Sequence, residues 1–243
     1  MKRIGFRVTF TNELLGTYPT DPDTYVKYIM SRAKDVNDDV LKEVENIKRA
    51  NEAISDKNGK NEEKEPPKTL TIFPRDSSMN LIMYDYQWRG YFKEVCSGLR
   101  AFFTQDSMGK VSNSDGFRNF KKGVDNAFFV YPREIPIHIP EDGKIGICAR
   151  SLRANTPQGE RIAIASSETI PAGSYVEFEV AVPDSILIEQ DEDDGKKTKK
   201  KKGIDYKGAL IEWMNYGRFK GMLQWRSGGK GTFTYECLYE KEF

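Results

Sequence analysis

Histidine is almost missing from this 243-residue sequence, which has one, His138. Imidazole acid–base chemistry would depend on that single side chain. It stands in IPIHIP, among prolines and apolar residues, a setting that favours a structural role over catalysis. Cysteine is scarce too. Cys96, Cys148 and Cys237 lie far apart, with no C-x-x-C pair and no histidine cluster, so no zinc pattern exists. Three scattered cysteines and no signal peptide fit free, mostly buried thiols in a reducing cytoplasm. No Ser–His–Asp or Cys–His spacing can be drawn. No apolar run approaches the roughly 20 residues of a membrane span, so a soluble chain with no membrane partner is expected. Charge of one sign is also lacking: Lys+Arg 38 against Asp+Glu 37 leaves +1. Any polyanion site must therefore come from local sorting of charge.

That sorting is present near the C-terminus. YGRFKGMLQWRSGGKGTFTY, residues 216–235, holds five glycines and four cations and no carboxylate. Glycine lets another group approach the main chain, and neighbouring Lys and Arg favour an anionic one. A mononucleotide loop is excluded, because Gln224 stands where the first glycine is required and Gly231 where Ser or Thr is required. A dinucleotide loop is excluded because Gly229 and Gly231 lack a third glycine at the right offset. Two readings remain: a hairpin whose glycines only satisfy turn geometry, or a ligand-facing loop. The missing carboxylates favour the second.

Elsewhere the pattern predicts an α+β protein centred on an antiparallel sheet. Ile4, Phe6, Val8 and Phe10 alternate with polar or small residues, as in a half-buried strand. Residues 24–55 read as a helix, capped by Asp23 or Thr24, and 55–68 as a polar, mobile linker. Together 24–68 look like a helical insertion. Short strands are expected at 69–73 and 80–84. A helix over 84–105 should bury Trp88, Phe92, Val95, Leu99 and Phe102. Residues 105–124 read as a loop. Three short strands should follow, in AFFVYPREIPIHI, KIGICARS and RIAIASSE, then a turn and strand in IPAGSYVEFEVAVP. The block QDEDDGKKTKKKKG, 190–203, reads as a flexible, solvated charged loop. Its DEDD at 191–194 abuts lysines, and metal chemistry needs rigid ligands, so no metal or cofactor is expected. A last helix, with Leu210, Trp213 and Met214 inward and Gly217 at its C-cap, precedes a final strand.

Several of these segments, in this order, resemble the RAMP superfamily, the RNA-binding subunits of CRISPR effector complexes. TFTNELLGT is similar to the family's first strand and leucine–glycine turn. MYDYQWRGYFKEV holds the place of its first core helix, with Arg89–Gly90 and Lys93 at basic positions. IPAGSYVEFEV resembles the segment before its last helix. GMLQWRSGGKGTFTY resembles its glycine-rich closing motif, with Arg226, Ser227, Gly229 and Gly231 matching. Tyr84–Asp85–Tyr86 stands where the family has a proline–glycine–serine turn, and 24–68 occupies a loop that holds a cleaving aspartate in some members; Asp21 and Asp23 are the nearest residues to that role. Phage and prophage proteins share a similar opening and closing.

The resemblance implies a single ferredoxin-like domain over 1–243 that binds RNA or single-stranded DNA without cutting it. It would be a cytoplasmic phage factor in a bacterial host, with CRISPR effector subunits or copies of itself as further partners. Expected contacts are Arg218, Lys220, Arg226, Lys230 and the backbone at Gly229 and Gly231, with Trp225 or Phe219 stacking on bases. Arg89 and Lys93 on the first core helix, and Arg150, Arg153 and Arg161 in RSLRANTPQGER, are further candidates; the latter cluster reads equally as a solvated loop. Two other functions stay open. One is a metal-independent endoribonuclease using His138 or a Tyr–Lys pair, the other a protein-interaction module.

Overall fold

A computed structural model describes residues 1–21, 24–27, 38–58, 70–103, 109–114, 117, 119–157, 159–184 and 204–242. In chain order the first strands are β1 (Lys2–Phe10), β2 (Leu14–Leu15) and β3 (Tyr18–Pro19), followed by helix α1 (Asp38–Asn58). Next come β4 (Leu70–Ile72), β5 (Ile82–Tyr84), α2 (Asp85–Phe102) and α3 (Phe120–Ala127). The remainder is β6 (Phe129–Tyr131), β7 (Glu134–His138), β8 (Gly146–Thr156), β9 (Gly159–Ile170), β10 (Tyr175–Val182), α4 (Tyr206–Tyr216) and β11 (Phe233–Glu242). The protein is mixed α+β.

Alternation builds the first sheet. β1 runs antiparallel between β10 and β11, and β10 pairs in turn with both β6 and β7. The order is β11–β1–β10–β7–β5. Ile4, Phe6, Val8 and Phe10 of β1, and Val176, Phe178 and Val180 of β10, are buried on one face. Tyr175, Glu177 and Glu179 lie on the other, as their alternation predicts. Helices α2 and α4 cover the buried face: Trp88 packs on Phe178 with ring centroids 4.3 Å apart, and Phe92 on Trp213 at 5.7 Å. Trp88, Phe92, Val95 and Leu99 are buried as expected, whereas Phe102, in the last turn of α2, is 84% exposed.

A second sheet is absent from the sequence reading. Its order is β2–β9–β4–β3, with β8 added to β9, and β4 runs parallel to β9. The two-residue strands β2 and β3 carry too little alternation to be seen in a window, whereas the short strands expected at 69–73 and 80–84 are β4 and β5. Arg75, just after β4, forms an ion pair with Glu168 of β9, and both are buried. KIGICARS and RIAIASSE are not two short strands but one long hairpin; the cluster RSLRANTPQGER is its exposed end, a β-ribbon rather than a loop.

Helix α1 carries the insertion. Ile47 and Ala50 pack with Tyr18, Tyr25, Leu70, Ile72, Ile82 and Tyr84 into a smaller core. Glu43 accepts hydrogen bonds from Arg133 and from the Tyr25 and Tyr86 hydroxyls. Burial raises its carboxyl pKa, and the Arg133 charge opposes that. The cap before this insertion is Asp21, which accepts from the Thr24 N–H at 3.0 Å; Asp23 lies outside the described residues. The expected linker at 55–68 begins inside α1, which runs to Asn58, and the rest of it lies outside the described residues, as does the 190–203 loop with its DEDD run.

The loop expected at 105–124 is partly helical. Phe120, Val124 and Ala127 recur at helical spacing in α3, and polar neighbours Lys121, Lys122 and Asn126 hid that period. Leu210, Trp213 and Met214 of α4 are buried as predicted, and Gly217 is its C-cap, in right-handed backbone. No described helix is long and apolar enough to cross a membrane.

The thiols differ from the expectation of general burial. Cys96 is buried, Cys148 half-buried and Cys237 exposed. Burial pushes the Cys96 thiol up to about 11. At pH 8 a thiol reagent should therefore modify Cys237 first and Cys96 only after denaturant is added. Three equally fast thiols would contradict this placement.

Candidate nucleic-acid interface

The glycine-rich segment folds back on itself between α4 and β11. Met222 N–H donates to the Gly231 carbonyl at 3.0 Å, and Gly231 N–H donates to the Glu13 carbonyl at 2.9 Å. The two limbs touch so closely that a Cβ at Gly221 would overlap the Lys230 carbonyl oxygen, and one at Gly231 the Met222 carbonyl oxygen. Gly231 also has φ +70°. These glycines therefore admit the protein's own chain. Gly229 differs: its φ is +77° and nothing lies within 4 Å of its Cβ position, so its backbone is open.

Between the limbs a 3-10 turn, Arg226–Gly228, lifts Trp225 outward. Trp225 has φ 55°, a left-handed conformation that costs a bulky residue about 1–3 kcal/mol and persists only where its surroundings impose it. The indole is 41% exposed. Arg150 of β8 lies 5.6 Å from its ring centroid and Lys230 lies 5.9 Å away. Arg150 is held in turn by Ser167 Oγ, at 3.3 Å, and by Gln224. Gln224 donates to Thr71 Oγ1 at 3.2 Å. Residues from β4, from both strands of the long hairpin and from the glycine-rich loop thus converge under one exposed ring.

The carboxylates missing from 216–235 arrive from elsewhere. Lys220 and Arg226 both pair with Glu94 of α2, the former at 2.9 Å, and Lys230 pairs with Glu13 at 2.6 Å. The bare positive stretch expected from the sequence is partly neutralised. Arg150, Lys220, Arg226 and Lys230 against Glu13 and Glu94 still leave two positive charges, and Arg218 is exposed and faces Tyr235 instead. Burial lowers the Arg226 pKa.

The other candidates sit apart from this cluster. Arg89 pairs with Asp85 at 2.7 Å, and Lys93 with Asp125. Arg153 pairs with Glu160 at 3.7 Å on the exposed ribbon, where Arg161 also lies. His138 is exposed instead of enclosed in apolar packing. It stacks on Tyr175, with centroids 4.6 Å apart and planes 15° apart, on the outer face of the sheet, which no helix among the described residues covers there.

Two clefts flank the loop. One, of about 310 Å³, is lined by Thr17, Gln87, Gly90, Glu94, Leu223 and Arg226, among others. The second, of about 560 Å³, includes Glu94, Phe219, Lys220, Trp225 and Arg226. The Glu94–Arg226 ion pair belongs to both and divides them. Phe219 is 67% exposed. Arg89, Lys93 and His138 line neither cleft. Sequence reasoning missed Glu13, Glu94, Gln87 and Gln224. Glu94 alone had a usable signal: it lies four residues after Gly90, so both share a face of α2. No group of His, Cys, Asp and Glu that could hold a metal is found among the described residues. No family model matches the chain, and comparison with curated proteins finds no match.

Proposed function

We propose that the protein binds single-stranded RNA or DNA along the groove beside the glycine-rich loop, without cutting it. The observation that carries this reading is Trp225, exposed, fixed in one backbone conformation, and flanked by Arg150 and Lys230. An aromatic face stacks on any base for about 1–3 kcal/mol, and adjacent cations meet the phosphates. Phe219 offers a second stacking surface across the same cleft. The strand order β11–β1–β10–β6/β7, with α2 and α4 as the connecting helices, supports a ferredoxin-like reading. That in turn favours the RAMP resemblance, and with it an RNA-bearing CRISPR complex as the partner of a phage factor.

The test is fluorescence anisotropy with single-stranded RNA and DNA over a salt series. Trp225→Ala should weaken binding roughly 5- to 150-fold, the stacking energy of one base. If the wild type binds neither strand at low salt, the proposal fails. A different observation then favours a protein-interaction module: Ile147, Ile162 and Ile164 share one face of the long hairpin and are each more than 60% exposed.

A further inference from the structure

We infer that the smaller cleft is a base pocket that receives one unstacked guanine; this rests on the single-strand-binding reading above. The pocket lies between α2 and the first limb and turn of the glycine-rich loop, and at about 310 Å³ it stands at the lower end of small-molecule sites, roughly 300–1,000 Å³. Its floor is open because α2 carries glycine at position 90. A Cβ there would meet nothing within 4 Å, although the helix gains nothing from glycine at that position. One turn later on the same face stands Glu94.

Most neutral polar groups of the wall are committed to each other. Gln87 accepts from the Tyr84 N–H at 2.9 Å and donates to Thr17 Oγ1 at 3.3 Å. The Tyr18 and Tyr86 hydroxyls bond each other at 2.7 Å. Recognition therefore falls to Glu94 and Arg226. Lys220 contacts one Glu94 oxygen and Arg226 the other. An ionised carboxylate has about four lone-pair sites, so two such contacts leave acceptor capacity for a ligand.

Only one common base suits a carboxylate with a guanidinium beside it. Guanine presents two adjacent donors, N1–H and the exocyclic amine, to the carboxylate, and its O6 to the arginine. Adenine and cytosine place an acceptor beside their donor, and uracil has one donor between two acceptors. Each would set a lone pair against Glu94, the kind of mismatch that a polar site rejects strongly. The neighbouring nucleotides would then lie over Trp225 and Phe219 in the adjoining cleft, which shares Glu94 and Arg226.

The test uses short oligouridylates with one central G, A or C, measured by anisotropy on the full-length protein. The G-bearing strand should bind at least about 10-fold more tightly than the others, within the range of one good bidentate base contact. Gly90→Leu fills the pocket, and the ratio should fall to about one; circular dichroism and melting first show that the variant is folded. Glu94→Gln should also erase the preference. Because it releases Lys220 and Arg226, it should at the same time strengthen binding to the strands bearing A or C and steepen the salt dependence. Equal binding of all strands by the wild type overturns the pocket while single-strand binding stands. Binding to no strand overturns both. A guanine preference that survives in either folded variant also overturns the pocket.

Discussion

Replacing Arg75 with methionine is expected to destabilise the protein by about 3–5 kcal/mol, the usual consequence of leaving a buried charge without its partner. Arg75 and Glu168 are each 4% exposed. Arg75 donates to both Glu168 oxygens and to the Phe73 carbonyl, and Glu168 also accepts the Phe73 N–H at 2.9 Å. Removing the guanidinium strands the carboxylate between β4 and β9. Denaturant unfolding measures the loss. The double variant Arg75→Met, Glu168→Leu should recover most of it, since apolar residues often replace a buried pair at little cost. A loss below about 1 kcal/mol in the single variant would show that water reaches Glu168. The pair also has a functional consequence. It clamps the parallel β4–β9 contact, where Thr71 and Ser167 meet at 2.8 Å and together position Gln224 and Arg150 under Trp225. Weakened nucleic-acid binding should therefore accompany the stability loss.

Gly221→Val should be the most damaging single change in the loop, costing about 3 kcal/mol or more if the limbs stay closed. Its Cβ would occupy the place of the Lys230 carbonyl oxygen, which is main chain and has no alternative rotamer. The limbs must separate, breaking the Met222 to Gly231 hydrogen bond and releasing the turn that presents Trp225. Gly229→Ala, where only the left-handed backbone objects, should cost about 1–2 kcal/mol. Melting curves order the two, and hydrogen exchange at the Met222 amide reports the opening. Comparable melting for both variants would mean that the limbs are not held together.

How much of this was legible in advance depended on the range of the interaction. β1 and β10 announced themselves because each buries one face, so large apolar side chains recur at period two over Ile4–Phe10 and Val176–Val180. The buried stripe of α2 and the inward side chains of α4 were equally clear, since packing against a sheet imposes a helical period. Phe102 followed that period and still faces solvent, because α2 ends there and its last turn outruns the core. Strands β4, β8 and β9 were expected from the sequence, but not that they join β2 and β3 in a sheet of their own. Its strands β2 and β4 gain stability from pairing with β9, a partner remote in the chain, and β3 from pairing with β4.

The glycine-rich stretch shows the same division within one site. Composition alone pointed to a glycine-rich loop running into the final strand, with backbone open to close approach, and put Trp225 among cations. Tertiary structure decided what approaches each glycine. For Gly221 and Gly231 it is the opposite limb of the same loop; only Gly229 is left open. It also decided the charge. Glu94 lies more than a hundred residues from Arg226 and Glu13 more than two hundred from Lys230, so no local window could count them. Coulomb attraction depends on distance in space, and only the packing of α2 and the β1–β2 turn against the loop supplies that distance.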